Sequence, residues 1–161
     1  SISYRTPRAL TRIAQAVMAQ HGTPVLYPME AVRDVPDCYQ VSHTHKDTLK
    51  ECVSQVVSTM EERLDREEGE GKGRICVIVP DAQAQLWHAD ESGASALDQR
   101  VSYLTAAGSK GLEFDSVVVV EPGAILAQGS GDLFVALTRA THDLHAVTTT
   151  QLPRGMEEWD A

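Results

Sequence analysis

The chain has 161 residues, 42% of them hydrophobic and 23% charged, which is the size and apolar content of one globular domain with its own core. With 11 Gly, 7 Pro and no long apolar run, the composition excludes collagen-like, low-complexity and helically membrane-spanning chains. The formal net charge of −9 excludes broad electrostatic capture of nucleic acid, because non-specific affinity grows with the number of phosphates that Lys and Arg neutralise; any such contact has to be local.

The opening Ser1-Ile2-Ser3-Tyr4-Arg5 has neither an initiator Met nor a basic-then-apolar signal pattern, so residues 1–161 are expected to be a single cytoplasmic domain cut from a longer chain. Cys38, Cys52 and Cys76 are odd in number and far apart, each in an apolar stretch, as expected of reduced core thiols; no CxxC pair occurs.

Along the chain, Thr6-Pro7 reads as an N-cap followed by Pro at the first helical position, with Leu10, Ile13 and Val17 on one face and Gly22 as the stop. Three prolines between Thr23 and Asp37 predict an extended connection, followed by a strand over Cys38 to Ser42. Leu49, Cys52, Val53, Val56, Val57, Met60 and Leu64 keep one apolar stripe over several turns and predict a long covering helix. A Gly-rich turn, Gly69 to Gly73, leads into Ile75 to Val79, an unbroken apolar run that fits a strand buried on both faces and ended by Pro80. A short helix near Ala82 to His88 and strands over Val101 to Leu104 and Val117 to Val120 follow. Leu133, Ala136, Leu137 and Ala140 then predict a helical face, and Leu144 to Thr149 a closing strand. Strands alternating with helices imply an α/β domain with a mostly parallel sheet.

Several features point away from independent chemistry. The Gly69 to Gly73 turn follows a helix and precedes a strand, the reverse of a phosphate-binding P-loop, and no Walker A sequence occurs in the chain. Glu121 ends a run of four valines, as the Mg²⁺-holding acid of an NTPase does, but without a P-loop it is read as structural. His43 and His45 share one side of a strand with no third ligand nearby in sequence, so no metal site is assigned; His88, His142 and His145 are read as packing or surface residues.

Three segments, in order, carry a more specific signal. Ser3-Tyr4-Arg5-Thr6 resembles the NYRS segment, motif IV, of UvrD/Rep-like superfamily 1 DNA helicases. The segment from Thr105 to Asp115, which holds Lys110-Gly111-Leu112-Glu113-Phe114, resembles their motif V. Leu133-Phe134-Val135-Ala136-Leu137-Thr138-Arg139-Ala140 resembles motif VI. The resemblance implies the second, C-terminal RecA-like lobe: a three-layer α/β domain that completes an ATP site whose P-loop and Mg²⁺ ligands belong to the N-terminal RecA-like lobe of the same chain.

By that resemblance Tyr4 stacks on adenine, Arg5 and Arg139 contact the γ-phosphate, and Glu113 accepts a hydrogen bond from the ribose. Thr105, Lys110 and Gly111 belong to the segment linking the nucleotide to single-stranded or duplex DNA. Arginine suits the phosphate role because its guanidinium stays charged and offers a planar fork of donors. On a helical wheel Arg139 falls off the apolar stripe and is expected to project outward from within its helix. The rule that ligands gather at the carboxyl ends of strands would place Tyr4, Arg5 and Lys110 to Glu113 there, but does not place Arg139.

Two positions depart from the pattern. Ala107 stands where motif V carries a DNA-contacting histidine, and only Asp81 to Arg100 occupies the place of a large inserted subdomain. The missing insert resembles the HelD-like branch, some of whose members engage RNA polymerase. The alternative function is therefore a polymerase-interacting ATPase lobe or a nucleotide-regulated protein-binding module. On either reading the isolated chain is expected to hydrolyse no ATP.

Overall fold

The two uninterrupted apolar runs lie at the centre of the sheet. A computed structural model of the protein describes residues 6–22 and 37–157. In it β2 (Ile75–Ile78) and β4 (Phe114–Val120) pair in parallel, with Ile75 opposite Ser116 and Ile78 opposite Val119. Side chains alternate across a strand, so Cys76, Ile78, Val117 and Val119 enter one core while Ile75, Val77, Val118 and Val120 enter another. A strand that feeds two cores has to be apolar at every position, which is why these runs show no alternation.

Three further strands, β1 (Tyr39–His43), β3 (Val101–Leu104) and β5 (Ala140–Thr148), complete a sheet of order β1-β5-β4-β2-β3 in which every pair is parallel. The first core lies under α1 (Arg8–His21) and α6 (Ser130–Leu137), with α5 (Pro122–Gln128) beside them; the second lies under α2 (Leu49–Glu68). Two single-turn helices, α3 (Ala84–Trp87) and α4 (Ala106–Ser109), flank β3. This is the α/β, three-layer RecA-like arrangement that the sequence implied, with the sheet wholly parallel among the described residues.

The covering helix follows its stripe. Leu49, Val53, Val57, Met60 and Leu64 are buried against the second core, and Cys52 and Val56 flank them half-buried. Each such burial contributes about 1.5–3 kcal/mol, so the stripe rather than helix propensity holds α2 to the sheet. Gly69, at φ 111°, ends the helix in a conformation that a side chain would strain. None of the three cysteines forms a disulfide; Cys38 and Cys76 are buried and Cys52 half-buried.

Three expected boundaries are corrected. Pro7, not Thr6, is the N-cap of α1, and the Thr6 hydroxyl instead donates to the carbonyl of Thr138 at 3.2 Å. The extended connection predicted over Thr23 to Asp37 lies, up to residue 36, outside the described residues. The helical face expected to include Ala140 stops at Leu137, because the Thr138 hydroxyl turns back to the carbonyls of Phe134 and Val135 and the carbonyl of Arg139 accepts from Phe114 N–H at 3.0 Å. A ladder bond to β4 thus pulls the chain out of the helix, and β5 begins at Ala140 instead of Leu144.

Candidate functional site

Thr105 directly follows the last residue of β3 and so lies at the carboxyl edge of the sheet. It is buried, and its hydroxyl oxygen accepts the N–H of Gly108 at 3.1 Å as the N-cap of α4. Beyond α4 the chain turns through exposed Lys110 and Gly111, the latter at φ 78° with open space where a side chain would be. The stretch 105–112 therefore carries the chain from the carboxyl edge of the sheet back to its amino edge, where Glu113 precedes β4.

Arg139 precedes β5 in the same way. Phe114 and Ala140 are register partners, so Glu113 and Arg139 stand side by side at the amino edge of adjacent strands. The Arg139 guanidinium is half-buried. Its Nε donates to Val135 O at 3.2 Å, Nη1 to Leu112 O at 3.4 Å and Nη2 to Thr138 Oγ1 at 3.2 Å. Those three bonds fix the fork and, among the described residues, leave one N–H on each terminal nitrogen without an acceptor. Burial pulls the guanidinium down from its ordinary value and the Glu113 carboxylate opposes that shift; it remains a cation at neutral pH. Glu113 is exposed and makes no hydrogen bond among the described residues.

Two expectations about placement are thereby corrected. Glu113 is at the amino edge, not the carboxyl edge, because the short α4 crossover returns the chain before β4 starts. Arg139 is in the turn after α6, not within the helix, and is steadied by the Val135 carbonyl of that helix instead of projecting freely. Tyr4 and Arg5 lie outside the described residues, but their neighbour Thr6 is bonded to Thr138, next to Arg139. The edges thus separate the five described residues among those singled out by sequence: Thr105 on one side, Glu113 and Arg139 on the other, with Lys110 and Gly111 between them.

At the carboxyl end of β4, Glu121 sits at φ 52° with both carboxylate oxygens engaged by Thr149, one by its N–H at 2.6 Å and one by its hydroxyl at 2.7 Å. It is 7% exposed, and its role is structural. Among the described residues no group of three or more His, Cys, Asp or Glu side chains gathers in a metal-binding arrangement.

Sequence reasoning missed two clusters. On the α2 face, Arg63 donates to Asp143 at 2.7 Å and to Ser116 at 2.8 Å, beside a cavity of about 540 Å³ that Gln40, Ser42, His142 and His145 also line. Asp143 hydrogen bonding raises the Arg63 pKa. Among the described residues no motif residue lines this cavity, which is on the sheet face opposite Arg139. The second cluster joins Gly93 to Gly108, where a side chain on Gly93 would come within 2.3 Å of the Gly108 carbonyl. Neither cluster has a local signal, since each joins residues that are neither adjacent nor a helical turn apart.

A family model of the viral superfamily 1 RNA helicase core domain matches residues 21–148 of the chain. Among solved structures, the C-terminal domain of a possible DNA helicase from Lactobacillus plantarum WCFS1 superimposes with a TM-score of 0.59 at 17% identity, covering 96% of this chain and 92% of that one. At that identity the likeness speaks to the fold. No curated protein matches the sequence.

Proposed function

The chain belongs to the viral superfamily 1 RNA helicase core domain family, and we propose that residues 1–161 form the C-terminal lobe of an ATP-dependent helicase or translocase of the UvrD/Rep type, completing an ATP site shared with an N-terminal RecA-like lobe. The observation that carries this reading is the placement of Glu113 beside Arg139 at the amino edge of β4 and β5, where the guanidinium is held by three bonds and, among the described residues, keeps donors to spare. Such a fork can meet the charge that spreads over the phosphoryl oxygens during transfer. Arg139 and Arg5 contact the γ-phosphate, Tyr4 stacks on adenine and Glu113 receives the ribose hydroxyl, while the Mg²⁺ accompanying ATP is held by the other lobe. Thr105, Lys110 and Gly111 then link the nucleotide to nucleic acid lying along the carboxyl edge. The family description names RNA and the structural neighbour DNA; a contact through phosphates serves either, and single-stranded or duplex DNA is the substrate favoured by the motif resemblance.

In the parent protein, Arg139→Ala is expected to leave ATP affinity nearly intact and lower turnover by about a thousandfold or more, as loss of an arginine finger does. Steady-state ATPase assays check this, and turnover within twofold of wild type would overturn the reading. Exposed Ala107, in place of a histidine, and the short 81–100 segment favour a second reading, a polymerase-engaging ATPase lobe of the HelD-like branch. Turnover that rises with added DNA supports the motor; turnover indifferent to DNA, with retention of RNA polymerase, supports the second.

A further inference from the structure

The loop 90–95 lies against the start and the middle of the 105–112 stretch, with the Leu112 side chain close by. At the start, the Asp90 carbonyl accepts the N–H of Thr105 at 3.4 Å, while Asp90 N–H donates to Tyr103 O at 2.8 Å, so Asp90 extends the sheet by one bridge beside Leu104. In the middle, Gly93 and Gly108 meet backbone to backbone. A Cβ on Gly108 would be 2.4 Å from the Asp90 carbonyl, and one on Gly93 would be 2.3 Å from the Gly108 carbonyl. At the end, the same Gly93 position is 3.3 Å from Leu112 Cδ1, and the carbonyl of Leu112 is one of the three acceptors on which Arg139 rests.

The loop is itself stiffened by one side chain. Asp90 Oδ1 accepts from the N–H of Ser92 at 2.8 Å and from its hydroxyl at 2.7 Å, and Oδ2 accepts from the N–H of Ser95 at 2.9 Å. Those bonds, led by Ser95 N–H, hold the carboxyl well below the usual carboxylate range. Gly93 adopts φ 80°, which lets the loop turn down onto α4.

We propose that the loop 90–95 is a clamp that makes the 105–112 stretch move as one piece, so that a displacement at Thr105 on the carboxyl edge is delivered to Arg139 on the amino edge through the Leu112 carbonyl. Asp90, Gly93 and Gly108 are positioning residues in this device; none of them touches nucleotide. The inference rests on the proposed function for what the motion achieves, but the rigidity it asserts belongs to this chain alone. A stretch fixed by the loop at Thr105 and Gly108 and bonded to Arg139 through the Leu112 carbonyl can pass on a displacement, whereas one held only at its ends would bend and absorb it.

The test compares Gly93→Ala with Gly71→Ala. Gly71 has nearly the same φ, 77°, in the α2 to β2 turn, with nothing within 4 Å of its Cβ position, so it carries similar backbone strain without the clamp contact. In the parent protein, the ratio of nucleic-acid-stimulated to unstimulated ATP turnover is expected to fall about five- to tenfold for Gly93→Ala and to hold for Gly71→Ala. Asp90→Ala removes only the loop's three side-chain bonds and is expected to move the ratio in the same direction, which keeps the test open if Gly93→Ala does not fold. Backbone hydrogen exchange on this chain supplies the second arm: amides in 105–112 should exchange faster in Asp90→Ala and Gly93→Ala than in Gly71→Ala. Unchanged exchange there overturns the clamp whatever the ATPase does. An unchanged ratio in a parent whose Arg139→Ala variant has lost turnover overturns its coupling role. Turnover that survives Arg139→Ala, with exchange still raised, sinks the proposed function and leaves the clamp standing.

Discussion

The two ends of β4 each carry a glutamate, and the two are opposites. Glu121, at the carboxyl end, is buried at φ 52° with both oxygens occupied by Thr149. Glu113, at the amino end, is exposed and lies beside the Arg139 guanidinium; among the described residues it makes no hydrogen bond and that guanidinium keeps N–H groups to spare. In a local reading Glu121 is the more suggestive acid, since it ends an apolar strand. The difference teaches that ending an apolar strand does not leave an acid free to bind; its hydrogen-bonding capacity has to be unspent within the fold. A satisfied carboxylate holds the fold together, and an unsatisfied one can bind.

That contrast can be broken most forcefully at Glu121. Glu121→Ala leaves the N–H and hydroxyl of Thr149 without their acceptor and keeps a side chain at a positive φ, so chemical denaturation of the chain should show a loss of about 1–3 kcal/mol. A change below about 0.5 kcal/mol would mean that the Thr149 bonds are replaced by water at no cost. Glu113→Ala is expected to do the reverse. Its effect on stability should stay within about 0.5 kcal/mol, as for other exposed sites, while the KM for ATP in the parent protein rises about three- to tenfold through loss of one ribose hydrogen bond. Equal stability losses for the two variants would erase the distinction between the ends of the strand.

The smallest expected effect comes from the cavity on the α2 face, which no described motif residue lines. His145 Nε2 lies 2.7 Å from Ser42 Oγ, and burial lowers its pKa from the ordinary 6.5 against the opposing pull of Asp143. The folded state keeps this ring neutral where the unfolded chain begins to take up a proton. The stability it contributes is therefore full above about pH 6.5 and lost as the pH falls below that value. Between about pH 7.5 and about pH 5.5 the thermal midpoint should fall, and by less in His145→Gln. The same slope in both proteins would remove His145 as the cause.

Much of the architecture was legible in the residues because each signal was local. The apolar runs Ile75 to Val79 and Val117 to Val120 have no alternation, which two-sided burial demands, and the Leu49 to Leu64 stripe repeats at helical spacing. The end of α6 was not legible. Ala140 continues the period of Leu133, Ala136 and Leu137 as well as it begins a strand, and the choice was made by a hydrogen bond from Phe114, 25 residues upstream of Arg139. The same bond moved Arg139 out of the helix and beside Glu113.

By itself, then, the sequence determined the class of fold, the central strands and the covering helix, and the types and order of the motif residues on which the proposed nucleotide site rests. Only the tertiary structure decided on which edge each of them lies, that Glu113 and Arg139 are neighbours while Glu121 is fully used, and that Gly93 and Gly108 touch. The physical reason is one of range. Periodicity and side-chain chemistry are written within a few residues, whereas edge, register and close backbone approach depend on ladder bonds and packing between segments that the sequence keeps far apart.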